Sequence, residues 1–323
     1  MCPPTLPSST PAADADTDSD QDFKSPYTPS ELAAIILDFY TFLTTLHFPA
    51  SGLKLPPHGG WPNITQTSSP YFSSKSPLAI EVLRQLAYFD KSTDAPVHYK
   101  SRLIDHPSLL LETDEDLFYS PIDFDSAEGY SVDPRDVVCL ARGHESGGVQ
   151  LFLDVRRGEM TEDEVRCDTK DAVDVVVFFE RFKEKYRSMK LIACADYEII
   201  VIEEREDRVV EAEEAEEDGE EVSTEVMLSQ EEEWYTATDV RWVRGLYRRL
   251  GWPDSFQSLE AERVINEAMS EMWGTRGGWN FSHMGALDWC SYSDEVVVGA
   301  KSEDVRKIGE DEVSLRVADI SIL

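Results

Sequence analysis

The chain has 323 residues, 64 acidic against 30 basic, for a formal net charge of -34. A surface so anionic is repelled by phosphate backbones and anionic lipid, which argues against nucleic-acid and membrane-surface roles and favours a basic protein as any electrostatic partner. A hydrophobic fraction of 41% supports a real core, in one large domain or two ordinary ones.

Residues 1–26 are rich in Pro, Ser, Thr and Asp and read as a disordered head, without the basic and apolar regions of a secretory signal. No window approaches 18 uninterrupted apolar residues, so no membrane span is expected. Cys2, Cys139, Cys167, Cys194 and Cys290 are odd in number, widely spaced and never CxxC. They read as reduced thiols in a cytosolic or nuclear protein, with no zinc site and no cofactor motif.

Order is expected from Thr28. Thr28 to Glu31 forms a capping-box pattern with Pro29 at the first helical position, and Leu32, Ile35, Ile36, Phe39, Leu43 and Leu46 recur at helical spacing. "PASGLKLPPHGGWPNITQTSSP" (49–70) is a loop. A second helix starts at Ser76-Pro77 and carries Leu78, Val82, Leu83 and Leu86. "VHYKSRLI" (97–104) reads as a strand, and 112–134 as an ordered loop with buried aromatics.

"VVCLA" (137–141) and "VQLFLDV" (149–155) are rich in branched and aromatic residues and bounded by glycine, so they read as strands joined through "RGHESGG". "EMTEDEVRC" (159–167) starts a third. Residues 174–189 give a helix with Val175, Phe178, Phe179, Phe182 and Tyr186 on one face. Lys183, Lys185 and Arg187 fall near its end, where cations suit the dipole. "KLIACADYEIIVIEE" (190–204) supplies one or two more strands. From Glu203 to Glu233 there are sixteen acidic residues and two arginines, net -14, which reads as a solvated, disordered insertion. A helix follows with Trp242, Leu246, Tyr247 and Leu250 inward, Gly251 placed for its C-terminal cap and Pro253 for its stop. Asp254 or Ser255 caps the next helix, aligned on Leu259, Val264, Ile265, Ala268 and Met272. Residues 275–323 read as a weakly ordered tail.

"GGWPN" (59–63), "HYKSRLID" (98–105), "ARGHESGGVQLFLD" (141–154) and "YRRLGWPD" (247–254) resemble a family of filamentous-fungal proteins with no assigned activity, over most of residues 27–274. More distantly, Tyr40 to Leu43, Gly147-Gly148, Leu151, Leu153, Gly158 and Phe178/Phe179/Phe182 fall in the order seen in the SUKH superfamily, a fungal cell-wall-synthesis regulator and immunity-protein fold. The chain departs from that pattern in lacking "LP" before the first helix and "NG" after it. The resemblance implies a mixed sheet with flanking helices that serves as a protein-binding platform without catalysis.

His144 and Glu145 in the glycine-rich turn could act as an acid/base pair, or as a partner-binding tip with Arg142. The plainer account is a hairpin connection in which Gly143, Gly147 and Gly148 meet backbone demands. Arg241, Arg244, Arg248 and Arg249 form the one basic patch. They could clamp an acidic peptide or phosphate; the plainer account places three of them on the solvent face of an amphipathic helix, or pairs them with the chain's own 203–233 run. Ser229 precedes "QEE" as an acidic-directed kinase substrate would, and Ser25-Pro26 and Thr28-Pro29 resemble proline-directed sites.

These residues predict an α+β fold: a mixed, mainly antiparallel sheet with flanking helices over 27–202, and a helical pair at 234–274 packed on it. The expected function is a non-enzymatic protein-interaction module, with Arg142, His144, Glu145, Arg241, Arg244 and Arg248 as candidate binding residues and no metal. Two alternatives remain open: a hydrolase using His144 and Glu145 near a pocket, and an acidic binder of basic proteins through 203–233.

Overall fold

Thr28 opens the first helix as its spacing predicts. Its side chain accepts from the Glu31 N–H, and the Glu31 carboxylate accepts from the Thr28 N–H at 2.7 Å. Two donors that a helix start would leave orphaned are thereby satisfied. Helix α1 (Pro29–Thr44) buries Leu32, Ile36, Phe39, Tyr40 and Leu43 along one stripe. The computed structural model describes residues 25–93, 95–111, 132–144, 147–164, 169–194, 200–201, 221–231 and 236–272, in two compact units, Met1–Ser188 and Met189–Leu323. The predicted disordered head up to residue 24, the loop over 112–131, Glu145, most of the acidic run and the tail lie outside the described residues.

In the first unit, β1 (Leu53–Lys54), α2 (Pro70–Ser73), α3 (Pro77–Gln85) and β2 (Tyr88–Phe89) follow α1, and β1 pairs with β2. Ser76 caps α3 by accepting from Ala79 N–H, with Pro77 first in the helix. Then comes the main sheet, β3 (Pro96–His98), β4 (Ser101–Leu103), β5 (Val137–Gly143), β6 (Val149–Asp154), β7 (Glu159–Glu164) and β8 (Val173–Asp174), paired in sequence order. The expected mixed sheet resolves to antiparallel pairing throughout. Its β3–β4, β5–β6 and β6–β7 connections are short turns, and parallel neighbours would need a crossover of about a dozen residues. The single strand expected over 97–104 is a hairpin, because Lys100 takes φ 46° and reverses the chain.

Asp174 caps α4 (Val175–Arg187) by accepting from the Val176 and Val177 N–H groups. The helix buries Phe178, Phe179, Phe182 and Tyr186, as its periodicity predicts. Phe39 of α1 stacks on Phe179 at 4.8 Å and lies 5.4 Å from Phe182, while the His98 ring lies parallel to Phe182 at 5.7 Å. This aromatic cluster joins α1, α4 and the sheet. Lys183, expected as a cation for the helix end, is buried instead and paired with Asp38 and Glu180. Lys185 and Arg187 do occupy the last turn.

The second unit contains β9 (Leu191–Ile192), β10 (Ile200–Val201), α5 (Thr224–Leu228), α6 (Ala237–Arg249) and α7 (Ser258–Met272). β9 and β10 pair antiparallel. A second capping box, Thr236 with Asp239, starts α6. Trp242, Leu246 and Tyr247 are buried as expected, and the Tyr247 hydroxyl donates to the Ala193 carbonyl at 2.5 Å. Gly251 takes φ 88°, where a Cβ would meet Ser255 O at 2.6 Å; only glycine fits this helix stop.

Two expectations here are corrected. Neither Asp254 nor Ser255 caps α7: both belong to a turn in which the Ser255 N–H bonds Gly251 O, so the helix starts only at Ser258. Leu259 is 81% exposed, because the buried stripe runs through Ala261, Ile265, Ala268, Met269 and Met272, and Leu259 lies two residues off it. Part of the run that composition marks as disordered is folded. Residues 221–231 include α5, whose Met227 is fully buried, so one apolar side chain anchors this part of the run.

Candidate interaction surface

The "RGHESGG" turn is built by its glycines. Gly147 takes φ 81°, and a Cβ on Gly148 would come within 2.4 Å of His144 O and 2.9 Å of Lys100 O. The two hairpin turns are laced together, since the His144 N–H bonds Lys100 O and the Val149 N–H bonds Tyr99 O. His144 is half-buried in this arrangement. Arg142 sits within β5 opposite Arg102 of β4, not at the tip. Glu145, the other member of the expected pair, lies outside the described residues.

The arginines of α6 do not form one open patch. Arg244 is 4% exposed, and its guanidinium donates to the Met189 carbonyl at 3.2 Å and 3.4 Å. As a partner-binding residue it is therefore corrected: it ties α6 to the chain entering β9. Arg241 is half-buried and Arg248 exposed. Arg249 pairs with Glu221, so the acidic run does meet this helix intramolecularly.

A groove of about 430 Å³ opens elsewhere, in the first unit. One wall is the outer face of α1, where Ser30, Ala33, Ala34 and Leu37 lie at helical spacing opposite the buried stripe. The facing wall is Pro56, Pro57, Gly59 and Gly60, and Glu81 and Gln85 of α3 close one side. Leu55, next to the lining Pro56, is 61% exposed.

The loop wall is held in place by α3. Arg84 donates to Gly59 O at 2.8 Å, the Trp61 N–H bonds Arg84 O at 2.9 Å, and the Trp61 indole donates to Leu86 O at 2.8 Å. Gly60 takes φ 80°, and a Cβ there would lie 2.7 Å from Arg84 O. Gly60→Ala should therefore cost about 1–3 kcal/mol through backbone strain and displacement of the wall. Faster solvent exchange of the Trp61 indole proton would register it, whereas an unchanged indole signal would mean the wall does not depend on this contact.

The strongly perturbed ionisable groups lie apart from the groove lining. His106 is fully buried; its Nε2 donates to Cys139 O at 3.0 Å and its Nδ1 has no partner. Burial, and then the charge of Lys75, hold its imidazole down at about 3. Burial also pushes the Cys139 and Cys194 thiols up to about 12, so neither is a ready thiolate. Lys75 is 7% exposed, donates to Val137 O at 2.7 Å and Pro134 O at 3.2 Å, and has its ammonium pKa lowered by burial. Lys75 and His106 brace the backbone of β5. Of the groove lining, only Glu81 is ionisable. Such a surface binds by shape and apolar contact and offers little for proton transfer.

Sequence reading missed the groove. The signal was present as a second, small-residue stripe on α1, Ser30-Ala33-Ala34-Leu37, and as "PPHGGW", a loop too glycine- and proline-rich to be regular but rigid once tied to α3. Among the described residues no cluster of His, Cys, Asp and Glu is arranged to hold a metal ion, and no helix is long and apolar enough to cross a membrane. Compared with protein-family models, curated proteins and solved structures, the chain matches none.

Proposed function

We propose that the chain is a non-enzymatic protein-interaction module, acting in the cytosol or nucleus, whose docking face is the α1–loop–α3 groove. The preformed groove carries this reading. Its walls are apolar or small, its loop wall is locked by three hydrogen bonds to α3, and a rigid concave surface binds a short segment at low ordering cost. The partner is a protein segment with apolar side chains beside a basic one. The basic residue would meet Glu81, and the chain's charge of -34 would steer it in. The likeness to the SUKH platform points the same way.

The polyanion reading has its own support, the net charge of -14 over 203–233. One comparison separates the two: capture of partners at low and high salt by the wild-type chain, by a chain lacking 203–220, and by Ala34→Trp. The deletion stops at 220 because Met227 is part of the second unit's core. Ala34 is exposed, so the tryptophan fills the groove with a stability change within about 0.5 kcal/mol. Partners that survive high salt and the deletion but are lost with Ala34→Trp support the groove. Partners that vanish with salt or with 203–220 leave only a polyanion effect, and partners kept by Ala34→Trp place the surface elsewhere.

A further inference from the structure

We infer that Ser229 is a phosphorylation site whose modification releases the Thr224–Leu228 helix from α6. Ser229 is followed by Gln230-Glu231-Glu232-Glu233, the context that a serine kinase with a basic substrate cleft selects. Its side chain is exposed, at the C-terminal cap of α5. There the hydroxyl donates to Val226 O at 2.9 Å, and the backbone N–H bonds Glu225 O at 3.0 Å.

Three features hold the segment among the described residues. Met227 is fully buried, the Trp242 indole donates to Thr224 Oγ1 at 3.2 Å, and Gln230 forms a clasp. The Gln230 amide donates to Met227 O at 3.0 Å and to Asp239 at 2.9 Å, while its oxygen accepts from Thr236 Oγ1 at 2.7 Å. A five-residue helix has no stability of its own, so this segment opens locally before the rest of the unit. The open form presents Ser229 and the residues after it to a kinase as extended chain.

The Ser229 oxygen attacks the γ-phosphorus of a nucleoside triphosphate. The β–γ bridging P–O bond breaks, the hydroxyl proton passes to the kinase's base, and the diphosphate leaves. The product disfavours closure in three ways. It removes the hydroxyl donor that Val226 O used. It places about -1.5 to -2 charges at a helix C-terminus, the negative end of the dipole. It also sets that charge between Glu225 and Glu231. Since these costs fall on the closed form and not on the open one, the phosphate shifts the population toward release of Met227 from its seat.

The full chain, treated with an acidic-directed serine/threonine kinase and Mg-ATP, tests this by phosphopeptide mapping and amide exchange. The expected result is one major phosphate on Ser229, absent in Ser229→Ala. Exchange over 221–231 should be faster by roughly three- to tenfold, with α1 and β5–β6 unchanged. No phosphate, a phosphate mainly on Ser223, Thr224 or Thr236, or unchanged or slower exchange after phosphorylation would each overturn the proposal. Ser229→Ala also loses the bond to Val226 O but gains no charge, so, treated in the same way, it is the control that separates the phosphate's effect from that of the lost bond.

Discussion

Phe182→Ala will destabilise the first unit by about 3–5 kcal/mol, the usual cost of emptying a packed aromatic site. Phe182 is 1% exposed, and its ring meets four others: Phe39 at 5.4 Å, His98 at 5.7 Å, Phe178 at 5.3 Å and Tyr186 at 5.8 Å. No small shift of α4 can fill such a hole, because its partners come from α1, β3 and α4 itself. That loss is a large share of the about 5–15 kcal/mol by which a domain is stable, so Phe182→Leu serves as the milder variant, at roughly 1–2 kcal/mol. Urea unfolding followed by amide exchange in α1 and β5–β6 peptides reads both. Losses below about 1 kcal/mol for the alanine would show that the cluster is not the keystone its geometry implies.

The second large effect is on pH. The neutral His106 imidazole is enclosed by Tyr71, Phe72 and Tyr88, and its pKa of about 3 lies below the ordinary unfolded value of about 6.5. The unfolded chain therefore binds a proton that the folded chain refuses. Stability is fully present above the unfolded pKa and falls as pH drops from about 6.5 toward 3. The slope is about 1.4 kcal/mol per pH unit, or roughly 2 kcal/mol lost by pH 5. Ordinary carboxylates stay mostly ionised between about pH 7 and pH 5, and comparison with a His106 variant separates this imidazole from the chain's five other histidines. His106→Phe lowers absolute stability by removing the bond to Cys139 O, yet its stability should vary less between pH 7 and pH 5, by one proton's worth. Equal slopes in wild type and variant would mean that the imidazole is charged or hydrated in the folded chain.

Together these results would locate the stability of the first unit in its interior and leave the groove free to bind. Ala34, Pro57 and Gly59 are exposed, whereas the aromatic cluster and the braces around β5 are sealed. The groove on such a frame should tolerate change in its small residues more readily than in Gly60 or Trp61, which position the loop.

What the sequence by itself determined is local. Thr28 with Glu31, Ser76 before Pro77, and Gly251 after the last turn of α6 each act within four residues along the chain, and each appears where its chemistry requires. The stripes of α1, α4 and α6 are equally local, since a period of 3.6 follows from backbone geometry alone, and β5 and β6 follow from short runs of branched and aromatic residues bounded by glycine. Only the tertiary structure decided which neighbour each face would meet. Arg244 and Lys183 read as surface cations, yet the fold enclosed both, one with a carbonyl and the other with two carboxylates. Met227 anchors part of a run whose composition alone says solvent. The groove arises because Arg84 and Leu86 hold a loop against α3 from more than 20 residues away in sequence. Local rules fix conformation through bonds a few residues long; burial and concavity depend on partners brought together from distant parts of the chain, which no window of sequence contains.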